Sequence, residues 1–159
     1  MPEYAAPLRD MRFVLDELVG MDRIAALPGY EQATPDLAEA ILEEAGKFAA
    51  EVLSPLNVPG DRQGARLEAD GAKTVAGFKE AYAQYVAGGW NALSSDPEFG
   101  GQGLPGVLAT AVREMWNSAN MAFSLCPLLT TGATEAIHLA ASPALQAKFL
   151  PKMVEGTWT

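Results

Sequence analysis

A glycine-dense stretch of the chain sets the strongest constraint on its fold. Residues 88–105 read GGWNALSSDPEFGGQGLP and join the end of one amphipathic helical pattern to the start of another. A solvated linker would not normally carry Trp90, Leu93, Phe99 and Leu104 among its glycines. Glycines supply backbone conformations that other residues resist, so the stretch predicts a loop packed onto the body of the protein.

Helical periodicity covers most of the first half of the chain. Apolar residues recur at helical spacing over residues 8–19, and Gly20 follows where a left-handed C-cap would stand. Residues 34–36, Thr-Pro-Asp, combine a capping hydroxyl, a proline at the first helical position and an early carboxylate. The helix that they open is predicted to end at residues 54–55, Ser-Pro, and residues 57–73 are predicted to be loop.

The second half of the chain shows the same periodicity. Further helices are predicted from Thr74 and from Pro105, and residues 117–120 predict a tight turn into a mostly apolar segment. A last short helix is predicted from Ser142 to about residue 151. Because there is no internal repeat and no alternation of strands with helices, the pattern predicts an all-α helical bundle.

Composition excludes several function classes. The chain has 159 residues, enough for one domain with a real core, and its net charge of −9 repels phosphate backbones, so nucleic-acid binding is not expected. Its apolar runs are interrupted every few residues, so no membrane association is expected. Charged residues near the N-terminus argue against a secretory signal, and the lone Cys126 fits a reducing compartment, so we expect a cytoplasmic protein.

No side-chain constellation in the sequence establishes an active site. His138 has no partner at metal-ligand or nucleophile spacing, so a packed or capping role is favoured. Cys126 has no basic neighbour and is predicted to be a buried, inert thiol. The glycines of residues 100–103 follow no predicted strand and are not a nucleotide fingerprint. We therefore predict no metal site and no cofactor-binding residue in this chain.

One apolar segment allows two interpretations. Residues 124–137, SLCPLLTTGATEAI, form a helix that is apolar almost all round and yet contains Pro127 and Gly132. Such a helix is either the central core helix of the bundle or the wall of an apolar ligand slot. The residues predicted to line that slot and bind substrate are Leu128, Leu129, Thr130, Thr131 and Thr134.

Three stretches together resemble the acyl-CoA dehydrogenases. Residues 96–104, DPEFGGQGL, look like the loop between two helices of that family's N-terminal domain. Residues 141–159 resemble its next landmark, a short helix followed by Leu-Pro-x-Met and a turn into a β domain. Residues 4–14 look like the extra N-terminal segment of a long-form subfamily. The resemblance covers essentially the whole chain.

The resemblance implies a domain layout. Residues 1–34 would be an N-terminal helical extension, and residues 35–156 the N-terminal-like helical domain. Residues 157–159 would be the start of a middle β domain, so the chain is expected to be truncated just as that domain begins. The residues that seat the flavin, and the catalytic glutamate, are expected beyond Thr159. No catalytic residue is therefore assigned within the chain.

The resemblance also implies a reaction. Family members use FAD to oxidise an acyl-CoA to the trans-2-enoyl-CoA in fatty acid metabolism and pass the electrons to an electron-transfer flavoprotein. They are commonly homo-oligomers. We expect the full-length protein to do the same, and the 159-residue chain alone to be inactive and not to hold FAD.

Two other hypotheses stay open from the sequence. The chain could be a stand-alone helical interaction module without catalysis, which an absence of exposed apolar surface would favour. Flavin oxidases and monooxygenases share the architecture of the family, and oxygen consumption by the full-length protein would identify them.

Overall fold

The computed structural model describes residues 4–159, so the first three residues of the predicted extension lie outside the described part. The described residues form seven α-helices and one two-stranded hairpin. They are α1 (Leu8–Phe13), α2 (Met21–Ala25), α3 (Pro35–Phe48), α4 (Ser54–Gln63), β1 (Arg66–Glu68), β2 (Gly71–Lys73), α5 (Phe78–Ala87), α6 (Gly106–Ala140) and α7 (Pro143–Glu155). The prediction of an all-α bundle is confirmed; the small antiparallel hairpin was not predicted.

The first helix ends as predicted, and ion pairs connect it to α3. A π-helical turn, Val14–Val19, extends α1 to Gly20, whose φ of 80° is left-handed. Arg12 contacts Glu39 at 2.5 Å and Glu43 at 2.6 Å on α3. Because these side chains are partly exposed, the bridges add orientation more than stability.

Helix α3 begins as predicted but does not end as predicted. The Thr34 hydroxyl accepts a hydrogen bond from the Leu37 N–H at 3.2 Å, which is the expected N-cap. A π-helical turn, Ala49–Leu53, then leads directly into α4, so Ser54 and the following proline begin a helix. The prediction of an end there was wrong because the widened turn accommodates the missing proline N–H at the first positions of α4.

The segment predicted as loop is also more ordered than expected. Helix α4 runs to Gln63, and residues 66–73 pair as the hairpin. Helix α5 starts at Phe78, four residues after the predicted Thr74. The reason is Gly77, whose φ of 95° cannot belong to a right-handed helix and where an added Cβ would lie 2.6 Å from Leu56 Cδ2.

The glycine-dense loop packs onto the bundle as predicted. Leu93 and Leu104 are buried and are tied together by a hydrogen bond from the Leu104 N–H to the Leu93 carbonyl at 2.8 Å. A Cβ at Gly101 would lie 1.9 Å from the Ser95 carbonyl oxygen. Only glycine therefore fits at that position, where two stretches of the loop backbone pack against each other.

Helix α6 changes direction at Asn120 instead of breaking into the predicted turn. Asn120 has φ −158° and ψ 89° between two helical arms, residues 106–119 and residues 121–140. Its Oδ1 accepts the Phe123 N–H at 3.0 Å, so it acts as the N-cap of the second arm. Its Nδ2 donates to the Leu53 carbonyl at 3.1 Å. One capping residue thus produces a bend where four polar and small residues had indicated a turn.

Helix α7 packs back across the loop. It extends to Glu155, beyond the predicted end near residue 151, because Leu150 and Val154 continue its buried face. Gly156, with φ of 85°, ends it, and the N–H groups of Thr157 and Trp158 donate to the Lys152 carbonyl. The assignment of residues 157–159 to a β domain stays a prediction.

An aromatic cluster marks the centre of the core. It lies where α3, α5, the loop and the first arm of α6 meet. Ring centroids are 5.2 Å apart for Phe48 and Trp116, 5.4 Å for Trp90 and Trp116, and 6.3 Å for Tyr85 and Trp116. Edge-to-face contacts of this kind add to the area that the rings bury.

Candidate functional site

The second arm of α6 is covered on one side only. Phe123, Ser124 and Pro127 are buried, and no later residue of α6 is. Leu129 is 73% exposed and Leu139 is 78% exposed. The interpretation as a central core helix was therefore wrong, because no element of residues 4–159 packs against its outer side.

Two adjoining crevices lie on the inner side of this arm. The first has a volume of about 30 Å³ and the second about 10 Å³. Asn91, Pro127 and Thr131 line both, so the crevices adjoin at these residues. The bend at Asn120 opens the space, because it turns the second arm away from the axis of the first.

The structure brings together four of the five residues predicted to bind substrate. Leu128 and Thr131 line the first crevice, and Thr130, Thr131 and Thr134 line the second. Leu129 lines neither crevice and lies on the exposed outer side. Helical geometry explains this, since adjacent residues are about 100° apart around the axis.

The threonine hydroxyls in the crevices have partners within the helix. Thr131 Oγ1 donates to the Pro127 carbonyl at 2.9 Å, and Thr130 Oγ1 donates to the Cys126 carbonyl at 3.4 Å. Since neither hydroxyl needs a ligand to complete its hydrogen bonding, this wall suits an apolar chain.

The first crevice is also lined by polar residues that were not predicted from the sequence. Arg113 comes from the first arm of α6, Tyr85 from α5 and Asn91 from the loop. Burial raises the pKa of Tyr85, Tyr82 raises it further, and the Arg113 charge opposes them. Arg113 forms no ion pair with any carboxylate of residues 4–159.

Only one of the two polar groups of the Asn91 side chain has a hydrogen-bond partner within the described residues. Its Nδ2 donates to the Val154 carbonyl, whereas its Oδ1 is buried and has no hydrogen-bond partner within the described residues. The sequence offered a weak signal for these residues: Arg113 interrupts an apolar face, and Asn91 follows a tryptophan inside the packed loop. The packing of the loop beside α6 brings them to one crevice.

The histidine and the cysteine have no catalytic partners. His138 Nε2 lies 3.4 Å from Asp96 Oδ2, and its ring meets that of Phe99 edge-on with centroids 5.8 Å apart, but the side chain is exposed and not packed as predicted. The prediction of a buried Cys126 was wrong: its side chain is exposed, because it lies on the uncovered side of the second arm. Among residues 4–159, no three acidic, histidine or cysteine side chains are grouped to hold a metal ion.

The glycine-dense loop does not fit the pyrophosphate of a flavin dinucleotide. A pyrophosphate needs backbone N–H groups in an open, glycine-lined cradle. The loop glycines cannot supply one, because the Gly101 position is filled by the Ser95 carbonyl and the Gln102 side chain closes onto the Gly89 carbonyl at 2.9 Å. No helix of residues 4–159 is both long and apolar enough to cross a bilayer.

Comparison with known families identifies the chain. The family model described as "Acyl-CoA dehydrogenase, N-terminal domain" matches residues 35–157. This range includes both arms of α6, the glycine-dense loop and α7. The chain belongs to the acyl-CoA dehydrogenase family. The crevices thus lie within the part of the chain that the family match covers.

Two relatives extend the comparison to acyl-CoA dehydrogenases of full length. The chain is 44% identical over 156 residues to 3-methylmercaptopropionyl-CoA dehydrogenase of Ruegeria pomeroyi, covering 98% of this chain and 26% of that protein. It is 29% identical over 159 residues to a butyryl-CoA dehydrogenase of Syntrophomonas wolfei, again covering 98% of this chain and 26% of the relative. The chain thus spans about a quarter of the length of these acyl-CoA dehydrogenases.

Proposed function

We propose that these residues are the N-terminal helical domain of an FAD-dependent acyl-CoA dehydrogenase, which oxidises an acyl-CoA to the trans-2-enoyl-CoA. The domain contributes one wall of the acyl-chain pocket through Leu128, Thr130, Thr131 and Thr134. The flavin, the base that removes the α-proton and the electron-transfer flavoprotein interact with residues outside the described part. The full-length protein is cytoplasmic and homo-oligomeric. This assignment follows the family and the names of its relatives.

The observation that carries the proposal is a long uncharged wall. From Met121 to Thr134 the second arm has no charged side chain, although the whole protein carries 31 Asp, Glu, Lys and Arg residues (20 acidic and 11 basic). Charged groups are costly against hydrocarbon, so a wall without them suits an acyl chain. The crevices along its inner side supply a concave surface.

The exposed side of the same arm disfavours a stand-alone module. Its large apolar side chains recur along one side of the helix at spacings of four, four and ten residues. They are Met121, Leu125, Leu129 and Leu139. A free-standing soluble protein rarely keeps such a stripe in water.

The test is an assay of the protein encoded by the complete gene, beside the 159-residue chain. We expect the complete protein to show a flavin absorbance spectrum and to reduce an electron-accepting dye when acyl-CoA is added. The 159-residue chain should do neither. Absence of dye reduction with butyryl-, hexanoyl- and decanoyl-CoA would contradict the proposal, and acyl-CoA-dependent oxygen consumption without dye reduction would indicate an oxidase instead.

A pair of substitutions in the complete protein tests the proposed wall. Leu128→Trp would fill the first crevice, so we expect the KM for acyl-CoA to rise about tenfold or more. Leu145→Trp is the matched control, since Leu145 is an exposed leucine on α7 that lines neither crevice. Equal KM values for the two variants would remove Leu128 from the pocket.

A further inference from the structure

The hairpin formed by β1 and β2 lies on the surface with its edges uncovered. All three residues of β1 are exposed, and its central Leu67 is 88% exposed, more than any other large apolar side chain of residues 4–159. Within that part of the chain, no third strand pairs with either edge of the hairpin. A two-stranded hairpin is only marginally stable by itself, and an uncovered edge is a template for another strand.

The charged side chains of β1 have no partners in the fold. Neither Arg66 nor Glu68 forms an ion pair with any residue of the described part. Arg66 lies directly across the hairpin from Lys73, whose Nζ is 2.7 Å from Asp70 Oδ2. Like charges directly opposite each other destabilise an antiparallel pair. The hairpin therefore gives Arg66 an unfavourable neighbour and leaves both charges of β1 unpaired within residues 4–159.

The order of the residues in β1, Arg-Leu-Glu, matches a second copy of itself. When two such strands pair antiparallel with their Leu67 residues opposite each other, Arg66 of each strand lies opposite Glu68 of the other. Because side chains alternate between the faces of a strand, the two opposite-charge pairs share one face and the leucine pair lies on the other. Strand β2 offers no such match, since antiparallel pairing about Ala72 would set Lys73 opposite a glycine.

We propose that the edge of β1 is a contact between two copies of this chain, which pair antiparallel about a twofold axis at Leu67 to form a four-stranded sheet. A twofold contact closes at two copies and does not propagate into a filament. Three residues on each side are fewer than the roughly 20–30 of a standard interface, so the pair exchanges rapidly and a covalent trap is needed to detect it. The inference goes beyond the proposed function, because it uses no step of the acyl-CoA reaction.

The experiment is a disulfide trap in the complete protein, in a Cys126→Ser background that also serves as the blank. Residues directly opposite each other on antiparallel strands have Cα atoms about 4.5–5.5 Å apart, within the range of a disulfide, so Leu67→Cys should cross-link. Ala72→Cys is the matched control: Ala72 is exposed and lies opposite Leu67 in the hairpin, but would be three strand spacings, about 14 Å, from its equivalent. On non-reducing gels, we expect Leu67→Cys to form the covalent dimer about tenfold faster than Ala72→Cys.

Charge reversals in the Leu67→Cys protein test the register. Arg66→Glu alone, or Glu68→Arg alone, sets like charges at both pairs, so the rate of disulfide formation should fall about fivefold or more. The two reversals together restore opposite charges and should restore the rate. A mixture of the two single-reversal proteins, one carrying a larger tag, should form the mixed dimer in preference to either homodimer. Because a nearby charge also changes the reactivity of a thiol, this competition within one sample is the decisive measurement.

The outcomes separate this inference from the proposed function. Equal dimer formation by Leu67→Cys and Ala72→Cys would overturn the inference. So would a reduced Leu67→Cys thiol that a maleimide cannot label, since the rest of the complete protein would then cover β1. Mixed dimers and homodimers in statistical proportion would overturn the antiparallel register. Dye reduction should be unchanged in every variant, because the hairpin lines neither crevice. Preferred mixed dimers in a protein that reduces no dye with any acyl-CoA would overturn the proposed function alone.

Discussion

The two arms of α6 have similar apolar character and opposite surroundings. The first arm buries Leu108, Val112, Met115 and Trp116 in the core, where Trp116 contacts rings from α3, α5 and the loop. The second arm buries nothing after Pro127 and exposes Leu125, Leu129 and Leu139. The difference shows that the neighbours of a helix, and not its own hydrophobicity, decide whether it is core. The first arm holds the fold together, and the second presents a surface.

Matched leucines give the largest contrast between the arms. Leu108 is 1% exposed, so Leu108→Ala should leave a cavity and lower the free energy of unfolding by about 3 kcal/mol. Leu129→Ala, on the second arm, should change it by less than about 0.5 kcal/mol. Urea unfolding of the 159-residue chain measures both. Similar losses would show that the second arm is packed in solution as the first is.

The bend between the arms should give the next largest effect. Asn120→Ala removes an N-cap and leaves the Leu53 carbonyl without its donor, so the free energy of unfolding should fall by about 2 kcal/mol. Asn120→Asp keeps the capping oxygen and loses the donor, and should lose less. Ser118→Ala, exposed on the neighbouring turn, is the control. A neutral Asn120→Ala would mean that the bend does not depend on this side chain.

The core around the first arm should also respond to alkaline pH. Burial raises the pKa of Tyr85 above the value near 10 of an exposed tyrosine. The stabilisation is complete below pH 10 and is lost as the pH rises above it, by about 1 kcal/mol at pH 11. Tyr85→Phe should make the decline of stability above pH 10 shallower. Part of that decline should remain in the variant, because the pKa values of Tyr82 and Tyr4 are also raised. An unchanged slope would show that Tyr85 is accessible to water.

The smallest effect on stability should come from the outer side of the second arm. Leu125→Ser combined with Leu129→Ser should leave the unfolding midpoint nearly unchanged, since both leucines are exposed. Self-association of the 159-residue chain should decrease, because the apolar stripe is interrupted. Analytical ultracentrifugation measures the change. Undiminished association would place the contact elsewhere, for example on the exposed Phe13 and Leu18 of the N-terminal helix.

Local signals in the sequence predicted the parts of the fold that local chemistry decides. The Thr34 cap, the left-handed Gly20 and the packed loop were all read correctly, because each depends on residues adjacent in sequence. The passage of the helix through residues 54–55 was missed, since proline signals an end unless the turn before it widens. That widening depends on contacts with α6.

The candidate site likewise contains residues that the sequence predicted and residues that it could not predict. Leu128 and the threonines could be predicted because they share an unusual uncharged helix. Arg113 and Asn91 could not, because they come to one crevice only through the packing of the loop beside α6. The exposure of Cys126 depends on what covers the second arm, which residues 4–159 do not supply.

The hydrogen bond between Asn120 and the Leu53 carbonyl joins two irregularities, the bend of α6 and the π-helical turn Ala49–Leu53. A π-helical turn holds one residue more than a regular α-helix. Deletion of one residue there would rotate α4 by about 100° and carry the Leu53 carbonyl away from Asn120. The two features would therefore have to be gained or lost together during evolution. Among relatives, a one-residue gap within residues 49–53 should coincide with replacement of the asparagine at position 120.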